Sequence, residues 1–156
     1  MGICFRCAAA LLVPVLLYAH PHIFVDLSVN YDAPQKRLHV DWLIDDITSG
    51  LILLDHDTNR NGHLEPEEAK MLLSPEGYAM LFYRGGFFLH PGRPVEHLKA
   101  DLQNGRVNVS FDTAVPSGAI GIWDHEYLFS FHLKHASGIV KSETADPYFG
   151  YRLELP

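Results

Sequence analysis

Cysteine is nearly absent: the chain has two in 156 residues, Cys4 and Cys7, both within the first seven positions. If that leader is removed the remaining chain has no thiol, which excludes a disulfide framework and a thiolate metal ligand. Cationic residues are also scarce, 12 Lys plus Arg against 19 Asp plus Glu, and the acids are spread along the chain. A phosphate-reading surface is therefore not expected, and no nucleic acid is expected as a partner. Long apolar runs are limited to Ala8–Tyr18, too short to span a bilayer comfortably, and nothing after Ala19 resembles a second span. No Ser-His-Asp, Cys-His or phosphate-loop arrangement can be read, so no enzymatic activity is expected.

What the chain does have begins with its leader. Arg6 is a weak positive n-region, Ala8–Tyr18 an apolar stretch and Leu17-Tyr18-Ala19 a small-residue cleavage site, so residues 1–19 read as a secretory signal peptide. No Cys follows Ala19, and lipoprotein anchoring is not indicated. The exported chain then starts at His20-Pro21-His22. Residues 20–156, in a sequence that is 47% hydrophobic, suit a single domain with one core.

The apolar pattern has mostly period two. Ile23, Val25, Leu27 and Val29 alternate with polar residues, as do Leu38, Val40, Trp42 and Ile44, which predicts two strands joined as an antiparallel hairpin through Asp32-Ala33-Pro34. The period then changes: Ile47, Leu51 and Leu54 are spaced for one face of a short helix, capped by Asp45 or Asp46. Pro66 suits the first turn of a second helix carrying Ala69, Leu72 and Leu73, and Ser74-Pro75 starts a further turn or helix to about Phe82. Strands are expected again at Gly86–His90, around Leu98–Leu102 and Val107–Phe111 with Asn104-Gly105 as a hairpin turn, and at Ile120–Trp123, Tyr127–Leu133 and Phe149–Leu155. The expected fold is mainly β (α+β): a two-sheet antiparallel sandwich of about eight strands, with a single EF-hand helix-loop-helix inserted at about 45–84.

That insertion carries the strongest motif. Asp57-Thr58-Asn59-Arg60-Asn61-Gly62-His63-Leu64-Glu65-Pro66-Glu67-Glu68 matches D-x-[DN]-x-[DN]-G-x₅-E at every fixed position. Asp57, Asn59 and Asn61 place side-chain oxygens at loop positions 1, 3 and 5, and Gly62 permits the sharp turn. His63 offers its backbone carbonyl, Glu65 an oxygen directly or through water, and Glu68 two oxygens. An all-oxygen donor set selects Ca²⁺ over zinc. Asn in place of Asp at two positions lowers the charge, so affinity should fall near the extracellular range of about 10⁻⁴ to 10⁻³ M. A lone loop in a β domain fits a structural clip better than a sensor.

Ten histidines are many for this length. After cleavage at Ala19, His20 presents an imidazole and a free α-amine, and His22 lies on the same side of an extended segment, a chelate for Zn²⁺ or another transition metal. Pro21 lacks an amide hydrogen, which blocks the square-planar mode that uses deprotonated amides. Asp124-His125-Glu126 reads first as a turn and second as a ligand source. His39 and His132 fall on polar strand faces, and they and the remaining histidines read as surface residues.

Taken together, the leader, His20-Pro21-His22 with Phe24 and Val25, Trp42 with Asp45, the loop, and Trp123-Asp124 with Glu126-Tyr127 resemble a bacterial family. It is the one catalogued as domain of unknown function 1007, often labelled a periplasmic component of a transport system. The resemblance covers nearly all of the exported chain. It implies a periplasmic location and a role in transition-metal uptake, chiefly of zinc and secondarily of nickel or cobalt, beside a membrane permease. It marks His20, His22 and Asp124 for the transition metal, and Asp57, Asn59, Asn61 and Glu68 in the loop. His125 stands where the family more often shows proline, and the cysteines that members often carry after the leader are missing. The alternative reading is a calcium-stabilised structural or interaction module of the cell envelope. A copper enzyme built on the amino-terminal histidine is a third, without an identifiable companion ligand.

Overall fold

Ile23, Val25, Leu27, Val29 and Tyr31 are buried while the residues between them face outward, so the period-two pattern forms strand β1 (Ile23–Asp32). The computed structural model describes residues 23–74, 95–123, 129–145 and 150–156. Within them follow β2 (Arg37–Ile44), α1 (Asp46–His56), α2 (Pro66–Leu72), β3 (Val95–Gln103), β4 (Arg106–Ala114), β5 (Gly118–Ile122), β6 (Phe129–Ser137), β7 (Lys141–Ala145) and β8 (Gly150–Leu155). The protein is mainly β, with a five-stranded sheet in the order β3-β4-β2-β1-β6 and a three-stranded sheet in the order β5-β8-β7.

Both expected hairpins form. Asp32 pairs with Arg37 across the first, and Gln103 with Arg106 across the second. Asn104 and Gly105 take φ of 54° and 82°, the left-handed values that a tight two-residue turn demands. The expectation of antiparallel pairing throughout is corrected at the sheet's far side. There β6 runs parallel to β1, with Ile23 opposite Phe129 and Val25 opposite Phe131. A parallel neighbour requires a long crossover, and among the described residues two helices and four strands intervene. Strand β7 was not expected, because Lys141-Ser142-Glu143-Thr144-Ala145 has no apolar alternation; it is held at an edge by β8. The segments expected to be helical at 75–82 and extended at 86–90 lie outside the described residues.

One apolar core joins both sheets, drawing Val25, Leu27, Val40, Trp42 and Phe131 from the larger and Ile120, Ile122, Leu153 and Leu155 from the smaller. Trp42 is its centre: the Phe111 ring stands edge-on at 5.4 Å and the Phe131 ring lies at 5.4 Å.

Helix α1 begins as expected, with Asp45 accepting from the Thr48 amide at 2.9 Å. Its buried stripe is not the expected one. Thr48, Ser49 and Ile52 face inward, whereas Ile47 and Leu54 are nearly four-fifths exposed and Leu51 is half exposed. The reason is polar. Ser49 Oγ donates to the Ile44 carbonyl at 3.1 Å and accepts from the Val107 amide at 2.9 Å, which holds the small side of the helix against the sheet.

Ser49→Ala should therefore destabilise the protein by about 1–3 kcal/mol in denaturant melts, because a buried Val107 N–H loses its acceptor. Ile47→Ala should change stability by less than about 0.5 kcal/mol, as expected of an exposed side chain. The reverse ranking would contradict this orientation of α1.

Candidate functional site

Between α1 and α2 the chain folds into a loop ordered by its own side-chain oxygens. Asp57 ends α1, its amide donating to the Leu53 carbonyl at 2.8 Å. Its carboxylate then caps the turn, Oδ1 accepting from the Asn61 amide at 3.1 Å and Oδ2 from the Gly62 amide at 2.8 Å. Asn59 Oδ1 also accepts from the Asn61 amide, at 3.0 Å, and Asn61 Oδ1 from the His63 amide, at 2.9 Å. Asn61 Nδ2 reaches Glu65 Oε1 at 2.9 Å. Gly62 sits at φ 77°, where a side chain is strained. Every fixed position of the motif thus has a local task.

Glu68 closes the loop. Its Oε1 accepts from the amide and hydroxyl of Thr58, both at 2.8 Å, and its Oε2 from the Glu65 amide at 3.1 Å. One buried carboxylate in the first turn of α2 thereby ties down the loop's start and the helix N-terminus. The Glu65 amide, followed by the Thr58 hydroxyl, holds this carboxyl below its ordinary value of 4.5. The imidazole of His63 is exposed, as expected of a residue that would contribute only its carbonyl.

The other expected ligands, His20, His22 and Asp124, lie outside the described residues, as do His90 and His125. The structure instead brings together side chains that the sequence reading left on the surface. On the polar face of the five-stranded sheet, Asp112 of β4 accepts from His39 Nδ1 of β2 at 2.8 Å and from His97 Nδ1 of β3 at 2.7 Å. Asp41 lies 3.3 Å from His39 Nε2, and Arg37 pairs with Glu96 and approaches Asp112 at 4.0 Å. Partial burial opposes ionisation of Asp112, but hydrogen bonds from His97 and His39 outweigh it and set the carboxyl below its ordinary 3.8. The one signal available beforehand was His39-x-Asp41 on an outward strand face; His97 and Asp112 join it only through the β2-β4-β3 order.

A family model described as protein of unknown function, DUF1007, matches residues 5–148, and the chain belongs to that family. Searches among curated proteins and among solved structures found no match.

Glu68 yields a pH prediction. Its folded value is depressed, so its stabilisation is complete above about 4.5 and is lost as pH falls through the lower folded value. The gap in melting temperature between the wild type and Glu68→Gln should be widest at neutral pH and should shrink below pH 4.5. A gap independent of pH would show that the carboxylate's charge does not hold the loop.

Proposed function

We propose that this member of the DUF1007 family is an exported, non-enzymatic metal-binding accessory protein. In this reading a calcium ion braces the helical insertion, and a transition metal (zinc, or else nickel or cobalt) is collected at the amino terminus for a membrane permease in the periplasm. The observation that carries the calcium half is the oxygen-only loop between Asp57 and Glu68, already turned about Gly62 and closed by Glu68. Asp57, Asn59, Asn61, Glu65 and Glu68 would supply side-chain oxygens, and His63 its carbonyl, in the manner of an EF-hand. Both Asp57 oxygens and Glu68 Oε2 keep a second lone pair for the ion, whereas Glu68 Oε1 accepts twice from Thr58 and would exchange one of those bonds for the metal. Bound there, calcium would supply positive charge to a loop rich in acceptors, a structural contribution that favours the folded state.

The transition-metal half is supported by His20 and His22, placed immediately before β1, and by Asp124, which follows Trp123 directly after β5. The start of β1 is anchored: the Phe24 amide donates to Asp45 Oδ2 at 3.0 Å, and the Asp45 amide donates to the Phe24 carbonyl at 2.9 Å. Among the described residues no helix is long and apolar enough to cross a membrane. A permease would therefore be a separate partner in this reading.

The exposed Ile47, Leu51 and Leu54 on α1 favour one other reading, a calcium-stabilised interaction module of the cell envelope without a transition-metal role.

Two measurements separate these readings. With a dissociation constant near 10⁻⁴ M, calcium at a hundredfold excess should stabilise the protein by about 2.7 kcal/mol, a rise of several degrees in melting temperature. Asp57→Ala should abolish that rise, and an unchanged rise would remove the loop as the site. Calorimetry of protein processed to begin at His20 should show a tight zinc class that disappears in the His20→Ala, His22→Ala double variant. Should the tightest class be identical in the double variant, the amino-terminal histidines are not the transition-metal site.

A further inference from the structure

Among the described residues, metal-competent side chains also gather outside the loop, in the polar cluster on the large sheet. A carboxylate only accepts hydrogen bonds, so Asp112, taken between His39 Nδ1 and His97 Nδ1, puts the hydrogen of each neutral ring on Nδ1 and leaves the lone pair on Nε2. For His39 that lone pair faces a second acceptor: Asp41 Oδ2 lies 3.3 Å from Nε2. With the ring neutral, two electron-rich atoms face each other across this gap, which is bridged either by a second proton on Nε2, making the contact an ion pair, or by a metal ion.

The separation is also that of two ligand corners. Donors at about 2.0–2.2 Å from a tetrahedral zinc stand about 3.3–3.6 Å apart. Residues 39 and 41 meet this spacing because they are two apart on β2, which puts them on one face. Both side chains are substantially exposed, 47% and 36%, so a hydrated ion can reach them. Metal-binding histidines commonly donate their other N–H to a carboxylate, which fixes the tautomer and raises the basicity of the ligand nitrogen. Asp112 is placed for this task, and both of its oxygens are engaged.

Its second engagement has a structural cost. His97 adopts φ 53° at a bulge where the β3–β4 register shifts between Glu96 and Lys99. A histidine held in the left-handed region beside a bulge is a local feature that aims a side chain, here onto Asp112.

We infer that His39 Nε2 and the Asp41 carboxylate form an open binding site for a divalent transition ion of the zinc class, with Asp112 as a positioning residue. Among the described residues no group of three or more His, Cys, Asp or Glu is arranged to hold a metal. The described residues thus supply two corners, and water or an incoming chelating group is drawn on to complete the shell. Such a site exchanges its ion readily, which suits transfer better than storage. It rests neither on the calcium loop nor on the amino-terminal histidines.

The test uses the full chain carrying His20→Ala and His22→Ala, titrated with zinc chloride in the presence of calcium. Calorimetry and nitrogen-detected spectra of the imidazoles are read together. One zinc should bind per chain, shifting His39 Nε2, and His39→Ala or Asp41→Ala should weaken binding at least tenfold. Asp112→Asn keeps both ligands, yet it should weaken zinc about 10–100-fold. It should also change the His39 tautomer in the metal-free spectrum, which a merely structural role would not do. Melting curves confirm that each variant is folded, and His39→Gln replaces His39→Ala if that variant is not. The inference is overturned if zinc leaves His39 Nε2 unshifted, or binds the folded His39 variant as tightly as its parent. A missing amino-terminal site would be seen separately, in the chain with His20 and His22 intact.

Discussion

The placement of α1, the loop and α2 depends on a short polar seam between α1 and the large sheet. Asp45 closes a reciprocal pair of hydrogen bonds with Phe24 and caps α1, and four residues later Ser49 bridges the Ile44 carbonyl and the Val107 amide. Arg106 reinforces it from β4, donating to the Ile44 carbonyl at 2.7 Å and to Asp26 at 3.0 Å. A hydrogen bond that satisfies a buried amide is costly to lose, so small polar residues rather than large apolar ones set the helix's rotation. Once α1 is fixed, the loop leaves from a defined point, and Glu68 ties its start to the first turn of α2.

The same seam leaves two regions with different chemistry. The loop offers oxygen donors alone, a set matched to a hard cation. The polar face of the sheet offers imidazole nitrogen beside carboxylate, a set matched to borderline transition ions. The two share no residue. The proposed division of labour, one ion bracing the fold and another in transit, follows from this separation.

Much of the fold could be read from the sequence because alternation reports burial directly. Ile23–Val29 and Leu38–Ile44 became adjacent strands, and Asn104-Gly105 became the turn between β3 and β4. Pattern misled where polar contacts decide orientation: Ile47, Leu51 and Leu54 form a clear helical stripe, but Ser49 turns that stripe outward. It was silent where a strand is held only by its neighbour, as in β7. The loop was legible residue by residue because its spacing is local. The His39–Asp112–His97 cluster was not, because its members come from three strands whose order no local pattern states.

The central claim is that this chain is an exported protein carrying calcium in its loop and a transition metal elsewhere. The most direct measurement is elemental analysis of the protein recovered from the cell envelope without chelators and dialysed against about 10 mM calcium, bound metal being counted over the dialysate, together with sequencing of its amino terminus. The account predicts a terminus at His20 with calcium and a transition metal both present in stoichiometric amounts. An unprocessed terminus, or a processed protein with neither ion, would contradict it.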